Sequence, residues 1–161
     1  MSEADLYPLP VFRFHVEFRR QPLGGRGPGG AVPICAGSFS DCTGLEATME
    51  PKTIKAGGAN YGSAQRPGPV TFATVVLKRG MTTTRDLWKW FSHVHEQGKY
   101  ALRLHVTIKA ANHNGNLNAP AWTAELERAL PVKFKAADLN ARGQEIGIEE
   151  LHLIHEGLTL S

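Results

Sequence analysis

The sequence predicts a mainly β fold, an antiparallel β-barrel or sandwich with one flanking amphipathic α-helix. Several runs alternate apolar and polar residues with a period of two, one segment repeats at helical spacing, and neither a βαβ rhythm nor an internal repeat is present. At 161 residues the chain reads as a single domain, 1–161. That length buries about two-thirds of the unfolded chain's surface without help from metal or disulfides.

The first strand is the clearest. In "VFRFHVEFR" (11–19), Phe12, Phe14, Val16 and Phe18 alternate with Arg13, His15, Glu17 and Arg19, as in a half-buried strand. "QPLGGRGPGGAVP" (21–33) then reads as a hairpin tip; it lacks the G-K-[ST] of a phosphate loop. "ICAGSFSDCTGLE" (34–46) predicts a weaker second strand. Residues 47–69, with Gly57, Gly58, Gly62, Pro67, Gly68 and Pro69, show little alternation. So long a segment is expected to be either disordered or ordered by a partner. "VTFATVVLKRG" (70–80) reads as a strand ended by Gly80.

"MTTTRDLWKWFSHVHEQG" (81–98) predicts the helix. Thr83 or Thr84 caps it, Asp86 favours its first turn, Gly98 stops it, and Leu87, Trp90, Phe91 and Val94 form the core-facing stripe. Trp88 lies about 100° around from Leu87, beside that stripe. An aromatic there leaves exposed apolar area unless a partner covers it, so Trp88 is the candidate interface anchor. "ALRLHVTIKA" (101–110) is a strand followed by an Asn-Gly turn in "NHNGN" (112–116). "AWTAELERALPVKFKA" (121–136) returns as a strand with a bulge or break near Pro131. "EIGIEELHLIHEGLTL" (145–160) closes the chain, its apolar phase shifting between Ile148 and Leu151 as at a β-bulge.

Apolar content of 42% against 20% charged residues excludes a disordered chain. No secretory pattern begins the sequence and no apolar run is long enough for a membrane helix, so folding in the cytoplasm is expected. Cys35 and Cys42 have neither redox nor zinc-ribbon spacing and are expected to be small buried side chains. Charge is unevenly spread. Residues 51–80 carry Lys52, Lys55, Arg66, Lys78 and Arg79 without an acid, whereas 121–161 carry seven acids against four basic residues. Such asymmetry suits an anionic partner, or attraction between copies of the chain.

His152, His155 and Glu156 resemble a metal set only if their segment is helical. On a strand the odd separation sends the two histidines to opposite faces, and H-L-I-H-E matches neither zincin order. His93 and His95 at i, i+2 diverge by about 200° on a helix. No catalytic constellation, metal site or cofactor is expected, and the chain does not read as an enzyme.

"YPLPVFRFHVEF" (7–18), "GSFSDCTGLEATMEP" (37–51), "VVLKRGMTTTRDLWKWF" (75–91) and "WTAELERALPVKFKAADLNARGQEIGIEELHLIHEGL" (122–158) resemble, in that order, the tail-tube proteins of contractile phages and the inner-tube proteins of phage-tail-like injection systems. The resemblance implies a small barrel, six copies of which close into a ring and join their sheets around a lumen. Rings stack into a tube that passes cargo or DNA. Implied partners are further copies, a sheath protein, baseplate or spike and terminator proteins at the ends, and lumen cargo; the monomer itself is not expected to enter a membrane. Assembly is expected in the cytoplasm, and the product in the finished virion or injection particle. In the family the connection after the second strand reaches the next ring, which implies that 47–69 is an inter-ring stacking loop carrying Lys52, Lys55, Tyr61 and Arg66. With the apolar face packed under the helix, Arg13, His15, Glu17, Arg103, His105, Thr107 and Lys109 become lumen candidates. The Gly-rich segment 19–30 is longer than the family pattern, and "AGGANYGSAQRPGP" also departs from it. Two alternatives remain: a tube-initiating or baseplate-proximal paralogue, and a small nucleic-acid-binding barrel using the basic stretch 51–80. That stretch offers only Tyr61 and Phe72 for base stacking.

Overall fold

The computed structural model describes residues 13–24, 27–30, 32, 39–55, 57–58, 62–98 and 103–161. In chain order the elements are β1 (Phe14–Arg20), β2 (Asp41–Thr43), β3 (Ala47–Met49), β4 (Lys52–Ile54), β5 (Ala64–Arg66), β6 (Val70–Phe72), β7 (Val75–Gly80), α1 (Asp86–Gln97), β8 (Leu104–Ala110), β9 (Trp122–Lys135), β10 (Ile148–Ile154) and β11 (Gly157–Leu160). The predicted strand at 34–46 is represented by β2 alone, and its first part, with Cys35, lies outside the described residues.

All pairing is antiparallel, in the path β1-β8-β9-β10-β7-β2, with β11 on the other side of β9. Alternation decides which face is buried. Val16 and Phe18 of β1, Leu104, Val106 and Ile108 of β8, Ala124 and Leu126 of β9, Val75 and Leu77 of β7, and Leu151 and Leu153 of β10 share one core. Leu87, Trp90 and Val94 of α1 complete it, Trp90 meeting Phe18 edge-on with ring centroids 5.7 Å apart.

β9 makes a two-layered core possible because it belongs to both layers. Its first half pairs β8 and β11, its second half β10. Two register shifts bend it between them, one opposite Leu104–Val106 and one opposite His152–Leu153. At the first, Arg128 takes φ 50°, and the N–H thrown out of the ladder donates to Gln21 Oε1 at 3.0 Å. The interruption expected near Pro131 is therefore a bend within a continuous strand.

The expected closed barrel is not formed. Among the described residues β1 and β2 end the strand path without pairing to each other. An apolar cleft of about 470 Å³ separates them, lined by Phe14, Cys42, Leu45, Ile108, Ala110 and Trp122. Cys42 is half-buried there, and burial pushes its thiol up to about 11.

Four further expectations are corrected. Residues 47–69 contain strands of an extended hairpin: β3 pairs β6 and β4 pairs β5. The Asn-Gly turn belongs to a longer connection in which Asn112 Oδ1 accepts from the N–H groups of Asn114 and Asn116. The phase shift after Ile148 is not a bulge, since β10 stays in register with β7 from Ile148 to Leu153. It arises because Glu149 points inward as an acid. Neither Thr83 nor Thr84 caps the helix; its N-cap is Arg85 at φ 53°, without a side-chain cap bond. Asp86 supplies the polar end instead, accepting from Leu87 N–H and Thr84 Oγ1, each at 3.1 Å. Gly98 stops the helix as expected, its N–H donating to Val94 O.

Glu149 and Asp86 share one partner. Arg79 on β7 is 1% exposed, donates from Nε to Glu149 Oε1 at 2.5 Å, and forks both terminal nitrogens onto Asp86. Its guanidinium also lies 5.7 Å from the centre of the Phe39 ring. Burial works to raise the Asp86 pKa, but the hydrogen bonds and charge of Arg79 outweigh it and hold the carboxyl below its usual range.

Removing the cation leaves two carboxylates inside or at the edge of the core. Arg79→Ala is expected to cost about 3–5 kcal/mol in chemical denaturation. Lys89→Ala on the exposed helix face should stay within about 0.5 kcal/mol. Similar small losses in both would mean that Arg79 does not hold strands and helix together.

Candidate functional site: surfaces for assembly

The face of β1, β8, β9 and β11 turned away from the core is polar. Glu17 sits at its centre, bonded by Lys109 Nζ at 3.0 Å and Arg19 Nη2 at 3.4 Å. Burial works to raise the Glu17 pKa, but Lys109 first, then Arg19 and His15, bring it below the ordinary value. His15 and Arg13 are exposed beside this cluster. Thr107 and His105 lie on the same face but at its floor, both buried, His105 at 0% exposure. Glu127 at 3.5 Å and Glu125 at 3.9 Å flank the His105 ring. The connection after β1 closes over this end, Gln21 Nε2 and Gly27 N–H each donating to Glu127 at 3.0 Å. These donors, with His105, outweigh burial and lower the Glu127 pKa. Arg103 is half-buried at the edge, bonding Glu156, which Arg128 also approaches. The first-strand and eighth-strand candidates thus share one face, but not all of them reach its surface. Glu125 and Glu127 belong to it too; alternation with Ala124 and Leu126 marks both in the sequence.

The second surface is the hairpin. Its root needs Gly44, which has φ 89° and where a Cβ would fall 2.1 Å from Thr74 O. Its waist needs Gly68, where a Cβ would fall 1.8 Å from Glu50 O. Lys52 stands opposite Arg66 in the β4–β5 ladder, and both are exposed, as is Lys55. None of the three forms an ion pair among the described residues. Tyr61 lies outside the described residues. Met49, Ile54 and Val70 add exposed apolar groups that the sequence reading passed over, because short strands exposed on both faces give no alternation. The hairpin is anchored through Phe72, whose ring centre is 5.0 Å from that of His155.

The third surface surrounds Trp88, which is 49% exposed and packs against Phe91 at 5.7 Å and Phe134 at 5.5 Å, with exposed Val132 nearby on β9. Trp90 is core, and Trp122 is half-buried against it. The expected single closing strand is two, β10 and β11, and only His152 lies on one of them; His155 stands at the break between the two. His152 sits beside Glu150 at 3.3 Å on the outer face of β10, whereas His155 lies between β10 and β11, bonded to Gly157 O at 3.0 Å. His95 bonds Pro131 O at 3.0 Å. Among the described residues no group of three metal-ligating side chains converges.

The family model of T4-like virus tail tube protein gp19 matches residues 10–159, and the chain belongs to that family. Comparison with curated protein sequences gives no match. Among solved structures the fold is similar to a chain of the PVC sheath-tube complex of an extracellular contractile injection system in its extended state. That pair has a TM-score of 0.75 at 20% identity, over 98% of this chain and 94% of the other. It is similar also to a chain of the anti-feeding prophage baseplate, with TM-score 0.74 and 24% identity over 96% of each chain. A chain of the anti-feeding prophage tube-terminating cap gives 0.72 and 18% identity, over 96% of this chain and 91% of that one.

The hairpin's anchor has a pH signature. Burial holds the His155 pKa below its ordinary value despite the bond to Gly157 O, and its Nε2 is buried without a hydrogen-bond partner. The unfolded chain therefore binds this proton more readily. Stability is full above the ordinary histidine pKa of about 6.5 and falls as pH drops towards the lower folded value. His155→Gln is expected to flatten that limb in thermal melts between pH 7 and 5; an unchanged limb would place its origin elsewhere.

Proposed function

We infer that the chain is the structural protomer of the inner tube of a contractile tail or injection system. Copies close into a six-membered ring, and rings stack into a hollow tube. Membership of the tail-tube family supports this. So does the state of its strand edges, the observation that carries the most weight: β1 and β11 bound a four-stranded layer whose outer face is polar, and among the described residues β11 pairs no strand beyond it while β1 is met there only at Arg20, by Gly29 and Gly30. Unpaired edges are an aggregation hazard in a free subunit and are removed when neighbours pair around a ring. In that ring the closure missing from the subunit is supplied between subunits. The polar face then looks into the lumen with His15, Glu17 and Lys109 in front, Arg13 and Arg103 at its margins, and His105 and Thr107 behind.

The hairpin, the 47–69 segment of this domain, is the stacking element, through Lys52, Lys55 and Arg66. Trp88, with the aromatic surface around it, is the anchor for a lateral neighbour. Sheath outside the tube, baseplate and terminator proteins at its ends and cargo in its lumen are the partners this role requires. Assembly in the cytoplasm precedes incorporation into the particle, and the role is architectural, without catalysis.

Negative-stain electron microscopy across a concentration series tests the reading. Rings with six-fold symmetry, or stacks of them, are expected. Lys52→Glu/Lys55→Glu should leave rings intact and remove stacks. Compact monomers at every concentration and in the assembled particle's extract would contradict it.

A further inference from the structure

His105 is fully buried on β8, at the floor of the polar face, and neither ring nitrogen has a hydrogen-bond partner. A carboxylate stands off each side of the ring: Glu127 Oε1 lies 3.5 Å from Nδ1, and Glu125 Oε1 lies 3.9 Å from Nε2. Carboxylates only accept. A neutral imidazole donates from one nitrogen and turns the lone pair of the other towards a carboxylate, whichever tautomer it takes. An imidazolium donates to both sides, so it is the charge state that fits between them. Burial works to raise the Glu127 pKa, yet the Gly27 N–H and the Gln21 amide, with His105, hold it below the ordinary value, so Glu127 stays an acceptor in mild acid.

The other charged groups around the ring have partners of their own. Arg19, opposite His105 on β1, bonds Glu17, which Lys109 also holds. Arg103 and Arg128 both reach Glu156, just ahead of β11. His15 faces Lys109 further along the same two strands.

What Glu127 grips is the connection after β1. Gln21 Nε2 and Gly27 N–H each donate to it at 3.0 Å. The same connection returns along the outer edge of β1, where Arg20 N–H donates to Gly30 O at 2.9 Å and Gly29 N–H to Arg20 O at 2.8 Å. Arg20 thus turns both backbone groups away from β8, and by alternation Phe14, Val16 and Phe18 are the other edge-facing residues. The connection occupies the last rung of that edge.

We propose that His105 is a proton-operated clasp for this connection. Charged, it bridges Glu125 and Glu127 and fixes Glu127 as the acceptor for Gln21 and Gly27. Neutral, it weakens that hold, and the Arg20 rung opens more often. The clasp works inside one subunit. Only its consequence for assembly rests on the tube reading: proton loss lengthens the free edge of β1 by one rung. The direction is opposite to that of His155, whose burial makes the whole fold less stable as pH falls. A grip that strengthens in acid is therefore local.

Amide hydrogen–deuterium exchange of the full chain tests it, corrected for the chemical exchange rate and resolved to Gly27 and Gly29. The two conditions are about pH 5.5 and about pH 8.5, on either side of the ordinary histidine value. Protection of both amides should be about tenfold greater at the lower pH, the worth of one charge-assisted hydrogen bond, and His105→Gln should remove the difference. Equal protection at both values, or a difference that survives His105→Gln, would overturn the proposal. If His105→Gln does not fold, Glu125→Gln keeps the question measurable, because that side chain is 36% exposed and its change leaves the core alone. This variant should shrink the difference, and one that keeps the full wild-type difference would equally overturn the clasp. Both amides bond within the subunit, so the readout is the same in free subunits and in tubes, and failure here leaves the tube reading standing.

Discussion

One buried cation organises this molecule. Arg79 binds an acid from β10 and an acid from the first turn of α1 while its guanidinium rests near Phe39. A hydrophobic pair could fill the same volume with equal or greater stability. What the charge supplies is position, because a guanidinium satisfied on both sides tolerates little slippage of β7 against β10 or of the helix against either. The β7–β10 register in turn sets where the hairpin leaves the sheet.

β9 imposes the second constraint. It bends twice so that one strand serves both layers, and the outcome is a core covered on two sides with strand edges left over. The Gln21 amide caps the distortion at Arg128, and the neighbouring Glu127 gathers the Gly-rich connection over His105. A subunit built this way has one continuous core yet leaves edge hydrogen bonds unmade among the described residues, which suits a part that joins neighbours.

How much of this was legible in the sequence follows from which residues carried a pattern. Val16 and Phe18, the β8 run from Leu104 to Ile108, and Leu87, Trp90 and Val94 declared themselves through periodicity, because each element turns its apolar residues to one face. Glu149 broke the pattern: an inward acid mimics a bulge until its partner Arg79, 70 positions away in the chain, is seen. The hairpin was illegible because strands of three residues exposed on both faces obey no burial rule, and the glycines and prolines within 47–69 left that segment to read as either disordered or ordered by a partner. The residues of β1 and β8 read as lumen candidates share one face. Their exposure was not readable, since the cover over His105 comes from a connection without periodicity.

The central claim is that edges left open in the subunit are closed by neighbours. Amide hydrogen–deuterium exchange, comparing the free subunit with the assembled particle, tests it most directly. The outward-facing N–H groups of β11, and of β1 before Arg20, whose N–H already bonds Gly30 O, should exchange freely in the subunit and become protected on assembly, while those of β8 and the first half of β9 are protected in both. Edge amides that remain as exposed in the particle as in the subunit would contradict the account.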